Sequence, residues 1–447
     1  MARLPFPQRL PGTYFHIESE VRPMAAPGSR GIVMAMLPLP WGGTDGVIDM
    51  HVREFLSNQA LAKIGMTAFD FEQNKQVAAL MSGAVMGKIF RQNVGGDKAA
   101  GVLGDIVFTA KHFGTAGNEI TVNIILQNER YTVTTFFRGS PMHVQSVAEL
   151  EQLVGNDFVD IDFSDADEVT LGEIMLEGGT DGVVPDYASR LQAFLDAAAL
   201  ESWHTIALSI AAEDTGYTQA RSTFKAWLAQ LNEDEQQLRQ GVVVGDGMDS
   251  EMIIGIHQTA KLDGEQLNLA EMTLYRAGHT AGSAINESET NKIMRGLTDV
   301  KPLLNRRQRE DADSRGLFTY VQNWDGRFKV ERDINSFVSV KPRKNIQWRD
   351  NRIMRALHDA KVQIARTFDS GFKGRETNDE HGRVLLLGEI HNLFTGYEER
   401  RVMENHDISK LRVFPGEGGP NVVGFEARNI QFVTAMDTLD FDMTITW

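Results

Sequence analysis

The sequence predicts a multidomain protein of mixed α/β and α+β class, with a parallel-sheet α/β core domain that carries a β-sandwich insertion. Three observations predict this class. Helical patterns alternate with buried strands after residue 185, short β-rich runs fill residues 96–179, and strand-like segments lie at both ends of the sequence. The 447 residues are enough for about three domains.

Composition favours a folded protein with a sizeable core, because 42% of residues are hydrophobic and 24% are charged. Lys and Arg number 45 against 61 Asp and Glu, a net charge of −16, which argues against a general nucleic-acid or anionic-membrane binder. The chain has no cysteine, so disulfides and thiolate chemistry are excluded. We find neither a signal-peptide core nor an apolar run long enough for a transmembrane helix.

Residues 1–29 are predicted to form an extended N-terminal arm, because their five prolines disfavour helix. The α/β domain is assigned to residues 30–95 and 180–330, and it opens with the buried strand Gly31–Leu37. Between its two parts, residues 96–179 are assigned to the sandwich, whose predicted strands are Asp105–Ala110, Glu119–Leu126, Tyr131–Phe137 and Glu168–Glu177. The acidic stretch Asp157–Glu168 is predicted to be a solvated loop.

After Pro185 the pattern alternates between helices and buried strands, which implies a parallel sheet with right-handed crossovers. The predicted helices begin near Tyr187, Ala220 and Ser250, the third ending near Leu262. The predicted strands are Thr205–Ile210, Gly241–Gly245 and Met272–Ala277.

Residues 331–437 are assigned to an α+β C-terminal domain with two amphipathic helices, Asn345–Phe368 and a second around Leu386–Tyr397. Residues 438–447 alternate strictly and are predicted to form a C-terminal strand arm, whose apolar face would consist of Leu439, Phe441, Met443, Ile445 and Trp447. Such a strand can pair within its own subunit or be donated to a neighbour's sheet.

No motif for catalysis, cofactor binding or metal binding stands out, so we expect a protein that is not an enzyme and has no cofactor. Gly245-Asp-Gly247 follows a strand but lacks the third glycine of a dinucleotide fingerprint, and no P-loop is present. The histidines lack metal-ligand spacing, and no nucleophile elbow occurs.

One charge feature stands out in this acidic chain. Residues 341–355 contain six basic side chains and one acid, Asp350. Two interpretations are open: a solvated helix face, or a docking face for an acidic protein partner. On the second, Arg349, Arg352 and Arg355 form the contact.

Eight short motifs occur in order along the chain: Pro11–Phe15, Arg30–Met34, Leu39–Gly42, Lys111–Val122, Gly178–Gly182, Arg276–Thr290, Glu331–Phe337 and Phe372–Asp379. In this order they resemble the motifs of tail sheath proteins from contractile phage tails and from related prophage and bacteriocin particles. The resemblance covers essentially the whole chain. In Phe372–Asp379, Phe and Arg stand where the family usually has Tyr and Lys.

The resemblance implies a subunit of hexameric rings that stack helically around an inner tube and contract to drive that tube through the host envelope. The terminal arms would add strands to neighbouring subunits' sheets, through Tyr14, Phe15 and Ile17 at one end and residues 438–447 at the other. The basic helix with Arg349, Arg352 and Arg355 would face the tube. The α/β domain would be similar to subtilisin-like proteases, but no protease triad is recognisable there.

The implied partners are further copies of the chain, the tail tube protein, and baseplate and tail terminator proteins, with no nucleic acid and no membrane insertion. The implied location is the tail sheath of a virion, assembled in the host cytoplasm. Two alternatives remain open: an α/β enzyme with an unrecognised active site, and a non-contractile structural protein such as a capsid or fibre component.

Overall fold

The computed structural model describes residues 30–51, 61–67, 70, 74–163, 170–234, 239–342 and 344–437. The described residues fall into two compact units. The first holds those of residues 30–361 together with 432–437, and the second is Val362–Gln431. The predicted terminal arms, residues 1–29 and 438–447, lie outside the described residues.

The described residues form both helices and strands. The helices are α1 (Lys75–Met81), α2 (Tyr187–Leu200), α3 (Tyr217–Asp234), α4 (Leu269–Gly282), α5 (Arg306–Ser314), α6 (Asn351–Gly371) and α7 (Glu380–Glu399). The strands are β1 (Ile32–Leu37), β2 (Val47–His51), β3 (Met86–Arg91), β4 (Ala100–Leu103), β5 (Ile106–Ala110), β6 (Ile120–Gln127), β7 (Arg130–Phe137), β8 (Ser140–Val147), β9 (Val159–Phe163), β10 (Gly172–Met175), β11 (Thr205–Ala207), β12 (Gln240–Val244), β13 (Ile253–Ile256), β14 (Thr259–Leu262), β15 (Glu265–Leu267), β16 (Leu297–Lys301), β17 (Leu317–Phe318), β18 (Tyr320–Gln322), β19 (Phe328–Val330), β20 (Met403–Glu404), β21 (Leu411–Pro415), β22 (Val423–Ala427) and β23 (Gln431–Phe432).

The first unit is built on a seven-stranded sheet in the order β17–β13–β12–β11–β1–β3–β2. All neighbouring pairs are parallel except β2 with β3, which is an antiparallel pair at the edge. Strand β1 shows why both faces are covered. Val33 and Ala35 face a core that includes α1 and α4, and Met34 and Met36 face a second core that includes α2 and α3.

Two predicted elements in this unit are wrong. The helix predicted over residues 250–262 is replaced by strands β13 and β14, and the strand predicted over residues 272–277 lies inside helix α4. Helix α4 lies within the core, and every residue from Ala270 to Gly278 is buried. A helix buried on all sides has no polar face, so its period cannot be seen in the sequence. Its capping box, Asn268 with Glu271, marks the start correctly.

Between β3 and β11 lie two antiparallel sheets, β4–β5–β9 and β10–β6–β7–β8, which share one apolar core. The four predicted strand runs each overlap one of these strands, β5, β6, β7 and β10. The acidic stretch is not wholly a loop, because Val159–Phe163 forms β9 and pairs with β5. Its apolar residues alternate with Asp160 and Asp162, so one face of the strand is buried although the stretch is acidic.

The second unit contains the end of α6, helix α7 and the antiparallel hairpin β21–β22. Helix α6 begins at Asn351, after a short 3₁₀ turn over Ile346–Arg349, so the predicted helix start was several residues early. None of the helices among the described residues combines the length and apolarity needed to cross a bilayer.

Two glycines allow helix α4 to cross close to the end of helix α1. A Cβ atom at Gly278 would overlap the carbonyl oxygen of Leu80, and one at Gly282 would overlap that of Gly83. Both glycines belong to the motif over residues 276–290, whose repeated Ala-Gly pairs therefore serve helix packing.

We predict that Gly278→Ala destabilises the first unit by about 1–3 kcal/mol, because the added methyl group forces two helices apart. Gly388→Ala is the control, since Gly388 lies in helix α7 with open space around its Cβ position, and Ala is the better helix former. Chemical denaturation of both variants measures the effect. Equal stability of the Gly278→Ala variant and the wild type would contradict the close packing.

Candidate assembly site

A buried carboxylate, Asp333, joins three segments of the first unit. Its Oδ2 atom accepts hydrogen bonds from Arg355 Nη2 at 2.7 Å and from the Glu289 backbone N–H at 3.1 Å. Its Oδ1 atom accepts one from Asn351 Nδ2 at 3.0 Å. Asp333 and Arg355 are almost fully buried, so this pair fixes the first turns of helix α6 to the rest of the first unit.

A second buried ion pair, Arg276 with Glu289, lies next to the first. Burial opposes ionisation of Asp333, but Arg355 and Arg276 more than offset it and hold the pKa of Asp333 below its usual value. We call these five residues, Arg276, Glu289, Asp333, Asn351 and Arg355, the Asp333 network.

The prediction of an exposed basic face at Arg349, Arg352 and Arg355 is wrong, because all three side chains are buried. Arg355 is inaccessible to solvent, and Arg349 and Arg352 are each 8% exposed. Arg349 Nη1 lies 3.3 Å from Asp313 Oδ2. The local excess of positive charge is therefore used largely inside the subunit, where acids from other segments neutralise it. That this basic helix faces a tube stays a prediction.

The β21–β22 hairpin of the second unit is a separate candidate site. Asn378 Nδ2 donates to the carbonyl oxygens of Pro420 at 2.7 Å and Val422 at 3.0 Å, and so holds the hairpin turn. Arg383 Nη1 donates to Asn378 Oδ1 at 3.0 Å and orients the amide. The next residue, Asp379, caps helix α7 by accepting the Gly382 N–H.

The hairpin is only two strands wide among the described residues, so its outer edges carry unpaired backbone groups there. All five residues of β22 are half-buried, and Phe414 of β21 lies across from Gly424, packed against the space that a side chain would fill. An isolated two-stranded hairpin is marginal in water, and open edges accept further strands.

Neither predicted strand arm can be placed on this hairpin from the structure. Tyr14, Phe15, Ile17, Leu439, Phe441, Met443, Ile445 and Trp447 all lie outside the described residues. Within the part of the chain that the structure describes, no three His, Asp or Glu side chains are grouped so that they could hold a metal ion.

Asp333 and Asn378 lie within two of the ordered motifs, but the sequence predicted no role for either. A signal existed for both. An acid two residues before an Asn, and an Asn-Asp pair before a helix, are polar residues next to apolar patterns, where buried or capping contacts are common. Apart from Arg383, their partners described above lie between 18 and 44 residues away, so spacing could not reveal them.

The fold is that of the tail sheath proteins, a class of multidomain structural proteins, and two family models support this. The phage tail sheath protein central domain matches residues 185–336, and the phage tail sheath C-terminal domain matches residues 343–446. Together they cover more than half of the chain. The chain belongs to the phage tail sheath protein family, which confirms the resemblance of the ordered motifs.

Related proteins are similar to this chain over most of its length. The phage-like element PBSX protein XkdK of Bacillus subtilis is 28% identical over 397 residues, which cover 82% of this chain and 81% of XkdK. The sheath tail protein of Desulfitobacterium hafniense is 28% identical, with a TM-score of 0.70 over 94% of this chain and 99% of that chain. The sheath tail protein of Listeria innocua, at 23% identity, shares the fold with a TM-score of 0.78 over 92% of this chain and 96% of that chain.

We predict that Asp333→Asn destabilises the first unit by about 3–5 kcal/mol, because it leaves Arg355 buried without a counter-charge. Glu310→Gln, in the exposed Arg306–Glu310 pair, should change stability little. Thermal and urea unfolding compare the two variants. If Asp333→Asn unfolds like the wild type, the buried pair does not fix helix α6.

We predict that Asn378→Ala speeds backbone hydrogen exchange in β21 and β22, because two hydrogen bonds to the hairpin turn are lost, at a cost of about 1 kcal/mol each. Asn421→Ala is the matched control, since Asn421 is an exposed residue of the same turn. Exchange measured by mass spectrometry distinguishes them. Equal exchange in both variants would show that Asn378 does not support the hairpin.

Proposed function

We propose that this protein is the structural subunit of a contractile tail sheath, and that it polymerises by adding strands from one subunit to the β21–β22 hairpin of another. The observation that carries the proposal is that one member of the sheath family has both an open-edged hairpin and a segment with the pattern of an unpaired strand. The described hairpin has two open edges, and residues 438–447 have the alternation of a strand with one apolar face.

Strand addition suits a sheath because it joins subunits through main-chain hydrogen bonds. Such bonds survive large rigid-body movements when the flanking segments bend. The apolar face of residues 438–447 would cover the half-buried β22 and the hairpin's aromatic residues, Phe414 and Phe425. Residues 1–29, with Tyr14, Phe15 and Ile17, would supply a second strand on the opposite edge.

We also propose that the chain is divided into the domains that the sequence predicts. Residues 30–95 and 180–330 form a non-catalytic, subtilisin-like α/β domain, and residues 96–179 form its sandwich insertion. Residues 331–437 form the C-terminal sheath domain, between arms at 1–29 and 438–447. The Asp333 network would then join the sheath domain to the α/β domain, because Asp333 and Arg355 bond Glu289 and Glu287 of the α/β part.

The assembled form is proposed to be stacked hexameric rings around a tail tube, bounded by baseplate and terminator proteins and built in the host cytoplasm. Contraction would repack the same folded subunits into a lattice of lower free energy, with no nucleotide required. Membership of the sheath family supports this account over an α/β enzyme or a non-contractile virion protein.

We predict that Phe441→Asp with Ile445→Asp leaves a folded subunit that cannot polymerise, because both charges fall on the apolar face of the arm. Thr444→Asp with Thr446→Asp is the matched control, with the same added charge on the opposite face. Negative-stain electron microscopy and gel filtration of the concentrated proteins test this. Striated tubes from the first variant, or none from the wild type with a tube template, would reject strand addition by this arm.

A further inference from the structure

Two histidines of the second unit share one short hydrogen bond. His391 lies on helix α7, and His406 lies in the segment that leads from β20 to β21. The distance from His391 Nδ1 to His406 Nε2 is 2.7 Å, and the ring centroids are 4.9 Å apart. Phe394 packs edge-on against His406 at 5.3 Å. The contact thus joins α7 to a segment 15 residues further along the chain.

A hydrogen bond between two imidazoles needs one N–H and one lone pair, so it exists only while at least one ring is neutral. When both rings carry a proton on the facing nitrogens, the acceptor is gone and two positive charges lie in contact. The bond therefore tolerates one added proton and is broken by the second.

The charged surroundings set how readily that second proton binds. Burial and His391 lower the pKa of His406, while Glu398 and Asp407 act in the opposite direction, and the net shift is downward. Glu398 also accepts the backbone N–H of His406, so His406 is hydrogen-bonded to helix α7 through both its ring and its backbone.

We propose that the hydrogen bond between His391 and His406 is an acid-sensitive switch that holds the segment between helix α7 and strand β21 in place and releases it when both imidazoles are protonated. The segment leads directly into the β21–β22 hairpin, which contacts helix α7. An effect of this switch on the polymer rests on the proposed function, in which the hairpin receives a strand from another subunit. The local switch does not rest on it.

The direction of the pH effect follows from linkage. Because the folded pair binds its second proton less readily than the unfolded chain does, its stabilising contribution is complete above the ordinary histidine pKa of about 6.5. That contribution falls as pH drops from about 6.5 towards the lower folded value. Acid should therefore loosen residues 400–427 before the first unit unfolds.

The first test uses the wild-type subunit. Histidine side-chain NMR with selective ¹³C labelling should show a titration of His406 displaced below the ordinary histidine range. Hydrogen exchange, corrected for intrinsic pH dependence, should show selective loss of protection over residues 400–427 between pH 7.5 and pH 5.5. A His406 titration near pH 6.5, or unchanged protection, would overturn the switch.

The second test uses variants in which the pair cannot titrate. His406→Gln should remove most of the acid-dependent loss of protection, because the neutral amide still offers a hydrogen bond to His391. His381→Gln is the matched control, an exposed histidine of the same helix, and should behave like the wild type. If His406→Gln keeps the full acid response, the pair is not its source.

The polymer provides a separate readout. If free subunits show the acid response and wild-type polymers shorten or dissociate near pH 5.5 while His406→Gln polymers persist, the switch acts on assembly. If free subunits respond and polymers of both proteins persist alike, the switch stands and its link to strand addition is rejected.

Discussion

The buried charge of Asp333 is the constraint on which the rest of the structure depends. A carboxylate without solvent must be paired and hydrogen-bonded, and here its partners come from two separated segments, helix α6 and the chain at Glu289. The bonds from Arg355 and Asn351 set where helix α6 begins, and the bond from Glu289 sets where it lies against the sheet unit. Helix α6 then continues into the second unit, which carries the β21–β22 hairpin.

This arrangement holds the first unit in one internal packing, as the proposed contraction of folded subunits requires. Buried ion pairs add little net stability. They do raise the free energy of other arrangements of the chain, because breaking a pair leaves a buried charge without its partner. The Asp333 network therefore defines one position for the start of α6. The hairpin has the opposite character, since two strands with open edges gain stability from added strands.

The sequence predicted elements with a clear period and missed those without one. The parallel strands β1, β11 and β12 and the amphipathic helices α6 and α7 were predicted because one face or both faces of each are apolar. Helix α4 was missed because it is buried on every side. The sequence could not show that Arg349, Arg352 and Arg355 are buried, because local charge says nothing about distant partners such as Asp313 and Asp333. The sequence likewise could not show the hydrogen bonds from Asn378 to residues 420 and 422, because they join distant positions in the chain.

A cryo-electron microscopy map of the assembled polymer tests the central claim most directly. The account predicts that residues 438–447 of one subunit lie along an edge of the β21–β22 hairpin of another, hydrogen-bonded as a third strand, with Phe441 and Ile445 facing the hairpin's apolar side. A hairpin that remains two-stranded in the polymer, or an arm paired only within its own subunit, would contradict the account.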